Sequence, residues 1–75
     1  TQTYYFAEFQ NAGSYRQAEK LKACSLRAAK REASMRQAFY GTVLEIGCEV
    51  NEDGFILNPV ARKEVGKQWK DVEVK

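Results

Sequence analysis

One stretch of the chain is far better suited to a helix than the rest. From residue 26 to about residue 39 the sequence is dominated by alanine, arginine and lysine, with no glycine or proline before Gly41. Ser25 is a suitable N-cap, and Gly41 is predicted to close the helix as its C′ residue. The segments on either side alternate apolar and polar residues with the period of two that is typical of β-strands. One helix between such segments indicates a small α+β fold.

Five strand-like segments flank this helix, at residues 3–10, 15–23, 42–50, 55–64 and 68–74. The second of them could also be helical, and we favour a strand because Glu19, Leu21 and Ala23 alternate with Lys20, Lys22 and Cys24. Turn-forming residues separate the segments at 11–14, 51–54 and 66–67. Pro59 interrupts the fourth segment, which suits an edge strand or a bulge. The predicted order is β-β-α-β-β-β, and a curved five-stranded antiparallel sheet wrapped around one helix buries this pattern economically. We expect a single domain over residues 1–75, because a chain of this length has no room for a second core.

The predicted helix has an apolar side and a basic side. A rotation of about 100° per residue puts these residues on the apolar side: Leu26, Ala29, Ala33 and Tyr40. We expect that side to pack against Leu44, Ile46 and Trp69. The opposite side carries Arg27, Lys30, Arg31, Ser34, Gln37 and Ala38, with Met35 at its border. Arg36 winds toward the apolar side, so either the helix ends or kinks near it, or its side chain extends back to the edge.

Positive charge is concentrated around the same helix. Residues 16–36 hold seven basic side chains and two acidic ones, a net charge of +5, whereas residues 1–15 carry −1 and residues 37–75 carry −2. Such a patch attracts a nucleic acid, an acidic protein surface or a channel that normally holds nucleic acid. A solvated basic helix face that serves only solubility is the alternative.

The composition gives little support for catalysis. The chain has no histidine, which excludes a Ser-His-Asp or Cys-His triad and the common Cys/His zinc sites. Cys24 and Cys48 lie far apart and outside a C-x-x-C motif, so we expect two structural thiols, and a disulfide between them stays open. Glycine-rich phosphate loops are absent. We expect no enzyme activity, no cofactor and no metal.

No apolar run in the sequence is long enough to span a membrane. The first residues lack the basic and apolar regions of a signal peptide. We therefore expect a cytoplasmic protein with no membrane partner.

Two blocks of the sequence resemble a known family. The first block, residues 25–44, reads SLRAAKREASMRQAFYGTVL and resembles the helix and helix exit of the ninth family of type I-F anti-CRISPR proteins. The second block, residues 63–69, reads KEVGKQW and is similar to that family's KE-x-GK-x-W ending. The resemblance implies an inhibitor encoded by a phage or mobile element, with a five-stranded sheet curled over one helix.

The resemblance also implies a partner. Members of the family bind the backbone subunits of the crRNA-guided surveillance complex, the Csy complex, in the channel where target DNA pairs with the guide. The family has a lysine where this chain has Met35, and the neighbouring Arg36 is a candidate to replace it. The resemblance implies partner contacts for Tyr4, Lys30, Arg31 and Gln37. The predicted site also includes Ser34, from the outward helix face, and Met35 and Arg36, at and beside the position of the family's lysine.

Two other functions remain open from the residues alone. A small nucleic-acid-binding module would use the basic helix face to contact phosphates, and even a partner-binding protein could touch nucleic acid weakly in this way. An assembly protein of a mobile element would use the same face as an oligomer contact. The implied inhibitor, by contrast, would act in the cytoplasm of a bacterial host.

Overall fold

The computed structural model describes residues 2–10, 17–39 and 41–72. Within these ranges the elements are β1 (Tyr5–Phe9), β2 (Glu19–Lys20), α1 (Leu26–Met35), β3 (Val43–Gly47), β4 (Glu49–Val50), β5 (Ile56–Leu57), β6 (Ala61–Lys63) and β7 (Lys70–Asp71). Five strands form an antiparallel sheet in the order β2-β1-β3-β6-β7, and β4 and β5 form a second sheet of two strands. The predicted α+β class, with one helix on a five-stranded antiparallel sheet, is confirmed.

The core lies between α1 and the centre of the five-stranded sheet. β1 and β3 pair over their whole length, which brings Phe6 beside Ile46. The buried cluster consists of Phe6, Leu21, Ala29, Ala33, Ile46 and Ala61, with Leu26 and Trp69 among the half-buried residues packed around it. The predicted packing of the alanine side of the helix against the sheet is therefore confirmed, and Leu44 is also fully buried.

The small sheet arises because β3 does not continue to residue 50 as predicted. Gly47 is the last residue of β3 and pairs with Tyr5, the first residue of β1, so a straight continuation would lack a partner strand. After Cys48 the chain turns away and pairs with β5 instead. Cys48, at this turn, is half-buried. The predicted turn at 51–54 is confirmed by a 3.0 Å hydrogen bond from the Gly54 N–H to the Asn51 carbonyl.

The helix begins where predicted and ends four residues early. The Ser25 hydroxyl caps it by accepting a hydrogen bond from the Ala28 N–H at 3.2 Å. Its last residue is Met35, and Arg36 is the C-cap with φ −95° and ψ 2°. The prediction that Gly41 closes the helix is wrong, since this glycine lies beyond the helix with φ +74°.

A carboxylate on β1 explains the early end of the helix. Glu8 accepts hydrogen bonds from the backbone N–H groups of Ala38 and Phe39, both at 2.9 Å. In a longer helix these N–H groups would pair with the carbonyls four residues earlier. The contact with Glu8 takes their place, so the chain leaves the helix after Met35 and runs along the end of β1.

The remaining strands are shorter than the alternating segments predicted. Among the described residues of the segments 15–23 and 68–74, Glu19–Lys20 pairs with β1 and Lys70–Asp71 pairs with β6, and the others lie outside the strands. Pro59 lies between β5 and β6, as expected for a residue that interrupts a strand. The predicted turn at 66–67 is confirmed by a 3.0 Å hydrogen bond from the Lys67 N–H to the Glu64 carbonyl. The predicted turn at 11–14 and Tyr40 lie outside the described residues.

Candidate partner-binding face

Three exposed side chains follow one another along the outer side of α1. Arg27, Arg31 and Met35 are spaced four residues apart, and neighbours at this spacing lie on one face of a helix. Met35 is 80% exposed. Within the described part of the chain, neither arginine side chain makes a hydrogen bond or ion pair, so each retains all its donors for a partner. We call these three residues the exposed row.

A second row on the helix is attached to the edge strand β7. The Lys30 ammonium lies 2.5 Å from a carboxylate oxygen of Asp71, and the Lys30 side chain is 24% exposed. The Trp69 indole donates a hydrogen bond to the Ser34 hydroxyl at 2.9 Å. Exposed ion pairs contribute only about 0–1 kcal/mol. The second row thus consists of Lys30, which contacts Asp71 in β7, and Ser34, which contacts Trp69 just before β7. The Ser34 side chain stays exposed.

Arg36 is held against the sheet at the end of the helix. Its guanidinium lies 3.4 Å from carboxylate oxygens of both Glu19 and Glu32, and it donates to the Lys20 carbonyl at 3.2 Å. Its guanidinium carbon is 5.3 Å from the centre of the Phe6 ring. Both possibilities raised by the sequence are realised, because the helix ends before this residue and its side chain extends along the edge of the core. Its charge is already paired in the free protein.

Glu32 fixes the loop that leads into the helix. Its carboxylate accepts hydrogen bonds from the backbone N–H groups of Lys22 and Ala23, each at 2.9 Å. The bond from Lys22 is the largest cause that lowers the pKa of Glu32, partial burial acts in the opposite direction, and Ala23 and Arg36 lower the pKa further. The ionised carboxylate thus connects the helix to the segment that follows β2.

The other two predicted site residues are half-buried. Tyr4 packs against the core cluster, and its carbonyl accepts a hydrogen bond from the Leu21 N–H at 2.8 Å. Gln37 lies just beyond the helix, where its Nε2 donates to the Thr42 hydroxyl at 2.9 Å. Gln37 also lines a shallow hollow with Ser34, Ala38 and Phe39.

Arg27 and Phe39 are exposed beside the predicted site residues and were not among them. Arg27 precedes Arg31 by one turn, and its place on the outward face could be predicted from the helical period. Phe39 is 61% exposed next to Gln37. Its exposure had no sequence signal, because it follows from the early end of the helix.

The described residues offer little for metal or redox chemistry. None of their His, Cys, Asp and Glu side chains form a group of three that could hold a metal ion. Both cysteines are free thiols, and Cys24 is exposed. Burial, together with the charge of Glu49, raises the pKa of the Cys48 thiol. Among the described residues, no helix has the length and apolar character needed to cross a membrane.

Known proteins were compared with the chain by sequence and by structure. No protein-family model and no curated protein matches it. A solved structure named AcrIF9 matches with a TM-score of 0.73 and 38% sequence identity, over 97% of this chain and 88% of that chain. This degree of likeness, over nearly the whole chain, places the protein among the anti-CRISPR proteins. The chain belongs to the AcrIF9 family of type I-F anti-CRISPR proteins, as the resemblance of residues 25–44 and 63–69 predicted.

Proposed function

We propose that the protein inhibits a type I-F surveillance complex by binding its backbone subunits beside the channel in which target DNA pairs with the guide RNA. The bound protein prevents that pairing, acts without catalysis, and does so in the cytoplasm of a bacterial host. Membership of the AcrIF9 family supports the anti-CRISPR role. The observation that supports the location of the binding site is the exposed row, whose two arginines have no ion partner in the described chain.

Arg31 is the strongest candidate contact among the predicted basic residues. Lys30 and Arg36 already pair with carboxylates, whereas Arg31 gives up no ion pair within the described chain when it binds a partner. Its planar guanidinium binds a carboxylate through two parallel hydrogen bonds and can also donate to a carbonyl oxygen. Met35, one turn further, offers an exposed and flexible apolar side chain that adapts to an irregular surface.

The sign of the charge restricts where this face binds. A channel that holds nucleic acid is lined by basic groups, which repel a basic helix. Binding there requires carboxylate or carbonyl acceptors that meet Arg31 directly, with hydrogen bonds that fix the register. Specific contacts, and not the overall charge, therefore determine the affinity.

A matched pair of charge reversals tests the proposal. Arg31→Glu is compared with Lys67→Glu, which changes the net charge equally at an exposed turn where Lys67 contacts Glu64 at 3.6 Å. Binding to purified Csy complex is measured by biolayer interferometry, and pairing of target DNA with the guide by gel shift. Interface arginines reach about 2 kcal/mol on truncation, so Arg31→Glu should weaken binding by about 30-fold or more. Lys67→Glu should stay within about threefold of the original chain.

The outcomes separate the proposal from its alternatives. Similar losses from both reversals would indicate diffuse electrostatics and favour a small nucleic-acid-binding module. Failure of the unmodified chain to bind the complex, or binding that leaves DNA pairing intact, would refute the proposed inhibition.

A further inference from the structure

We propose that Glu8 and Thr42 position Gln37 so that it meets its partner as a hydrogen-bond acceptor, and that the target surface supplies a hydrogen-bond donor to the Gln37 Oε1. This inference rests on the proposed function and adds to the binding face Gln37, which the family resemblance implies as a partner contact. It is carried by a short network of hydrogen bonds that runs from the buried end of β1 to the loop after α1.

The network begins at a buried acceptor. Glu8 is 4% exposed, and its carboxylate accepts from the backbone N–H groups of Ala38 and Phe39. The Thr42 hydroxyl, on a residue that is 5% exposed, lies 2.7 Å from the Glu8 Oε2 and 3.0 Å from the Phe39 carbonyl. Carboxylates and carbonyls only accept. If the single hydroxyl proton of Thr42 pointed to Gln37 instead, the Thr42 oxygen would face the ionised Glu8 carboxylate at 2.7 Å and the Phe39 carbonyl at 3.0 Å with no proton in either contact. The proton is therefore directed to Glu8 or to the Phe39 carbonyl.

This proton placement fixes the orientation of the Gln37 amide. The oxygen and nitrogen of an amide have the same shape, so the hydrogen-bond network decides which atom faces Thr42. With the Thr42 proton already used, an amide oxygen in that place would put two acceptors 2.9 Å apart with no proton between them. The nitrogen must face Thr42 and donate to it. The amide oxygen then occupies the other side.

The free oxygen lies where a partner can reach it. Gln37 is half-buried and lines the shallow hollow at the end of α1. Among the described residues, no group donates a hydrogen bond to its Oε1. A glutamine normally loses rotamer freedom when it binds, but here the contact with Thr42 restricts the side chain before binding. The binding face thus presents hydrogen-bond donors at Arg31 and one oriented acceptor, the Gln37 Oε1. It fits a target surface that offers an acceptor to Arg31 and a donor to Gln37.

A mutant cycle tests the positioning. Thr42→Val removes the hydroxyl at nearly constant shape, and Thr42→Ser retains it. Thr42→Val should weaken binding to the Csy complex about fivefold, as should Gln37→Ala, since each costs the complex the hydrogen bond that the target donates to the Gln37 Oε1. The double variant should bind as Gln37→Ala alone does, because the hydroxyl acts through the amide. Additive losses, or a Thr42→Ser variant as weak as Thr42→Val, would overturn the positioning role.

A further substitution tests the chemistry of the partner. Gln37→Lys offers only donors, so it should bind less tightly than Gln37→Ala if the target supplies a donor. Tighter binding by Gln37→Lys would overturn that part of the inference.

A measurement on the unmodified free protein does not depend on whether the variants fold. Nuclear Overhauser contacts between the Gln37 side-chain amide protons and the Thr42 methyl, with slow solvent exchange of one amide proton, are expected. Exchange as fast as in an exposed glutamine would overturn the inference. If Arg31→Glu abolishes binding to the Csy complex and the Gln37 variants bind as tightly as the unmodified chain, this inference fails while the proposed function stands. If the unmodified chain does not bind the complex, both fail.

Discussion

At Gly47 the two sheets come so close that the backbone of one touches a side chain of the other. A Cβ placed on Gly47 would overlap the Ile56 Cγ2 and lie 3.5 Å from the Leu57 carbonyl oxygen. The residue is buried, and its φ is not among the positive values recorded for other glycines. Glycine is therefore required here by lack of space and not by backbone conformation.

We expect Gly47→Ala to lower the free energy of unfolding by about 1–3 kcal/mol, because an added methyl group overpacks this contact. Chemical denaturation measures the change. In the double variant Gly47→Ala, Ile56→Ala the two losses should be less than additive, since the alanine at 56 lacks the overlapping methyl. Fully additive losses would show that the small sheet moves away from β3 without cost.

The pKa of Glu32 gives the stability a defined pH dependence. Because its folded pKa lies below 4.5, its contribution is present above that pH and is lost as the pH falls through the folded pKa. Burial raises the pKa of Glu45, and Arg62 opposes the rise, so this group acts in the opposite sense and lowers stability as the pH rises through its folded pKa. The dependence of the chain's stability on pH should contain both effects, and substitution of Glu32 alone separates its contribution from that of Glu45.

Glu32→Gln should be less stable than the original chain at about pH 7, and the difference should shrink toward about pH 3. Denaturant titrations at both pH values measure it. Glu52→Gln, at an exposed position in the turn between β4 and β5, serves as the control and should change stability little. A difference that is constant with pH would show that the charge of Glu32 does not hold the Lys22–Ala23 segment.

At the scale of the elements, the face that α1 buries could be predicted and its end could not. The helical period alone places Ala29 and Ala33 against the sheet, and both are fully buried. The end of the helix depends on Glu8, a residue 30 positions before Ala38 in the sequence. Local patterns contain no information about such a distant acceptor.

The same limit of local sequence patterns explains which contacts of the candidate site could be predicted and which could not. The period could place Lys30, Arg31 and Ser34 outward because they lie within α1. It could not show that Asp71 and Trp69 contact this side of the helix, since those contacts depend on where β7 lies in the sheet. Gln37 was predicted on the helix but lies beyond it, so its contact with Thr42 was not visible in the sequence.

Ala33→Leu tests the packing of α1 on the sheet. Ala33 has no exposed surface, so three additional carbon atoms should overpack the core and cost about 1–3 kcal/mol of unfolding free energy. Ala28→Leu, at an exposed position of the same helix, is the matched control and should remain within about 0.5 kcal/mol of the original chain. Equal thermal stability of the two variants would contradict the packing described here.

For the whole molecule, ion pairs in the folded chain offset part of the positive charge that the sequence concentrates in residues 16–36. Ion pairs join Lys30 to Asp71, Arg36 to Glu19 and Glu32, Arg62 to Glu45 and Glu64, and Lys67 to Glu64. The exposed row retains two unpaired arginines within the described chain. Lys20, Lys22, Lys63 and Lys70 also make no ion pair within the described chain, but they lie outside α1, so the row itself offers two charges to a nucleic acid.

We therefore expect the free protein to bind double-stranded DNA weakly and with a shallow dependence on salt. If only Arg27 and Arg31 neutralise phosphates, the logarithm of the binding constant should fall with the logarithm of salt concentration at a slope of about −2. Filter binding over a range of salt concentrations measures the slope, and the double variant Arg27→Glu, Arg31→Glu should bring it close to zero. A slope of about −5 or steeper would require phosphate contacts over a much larger surface. That result would favour direct nucleic-acid binding over a face built to contact a protein.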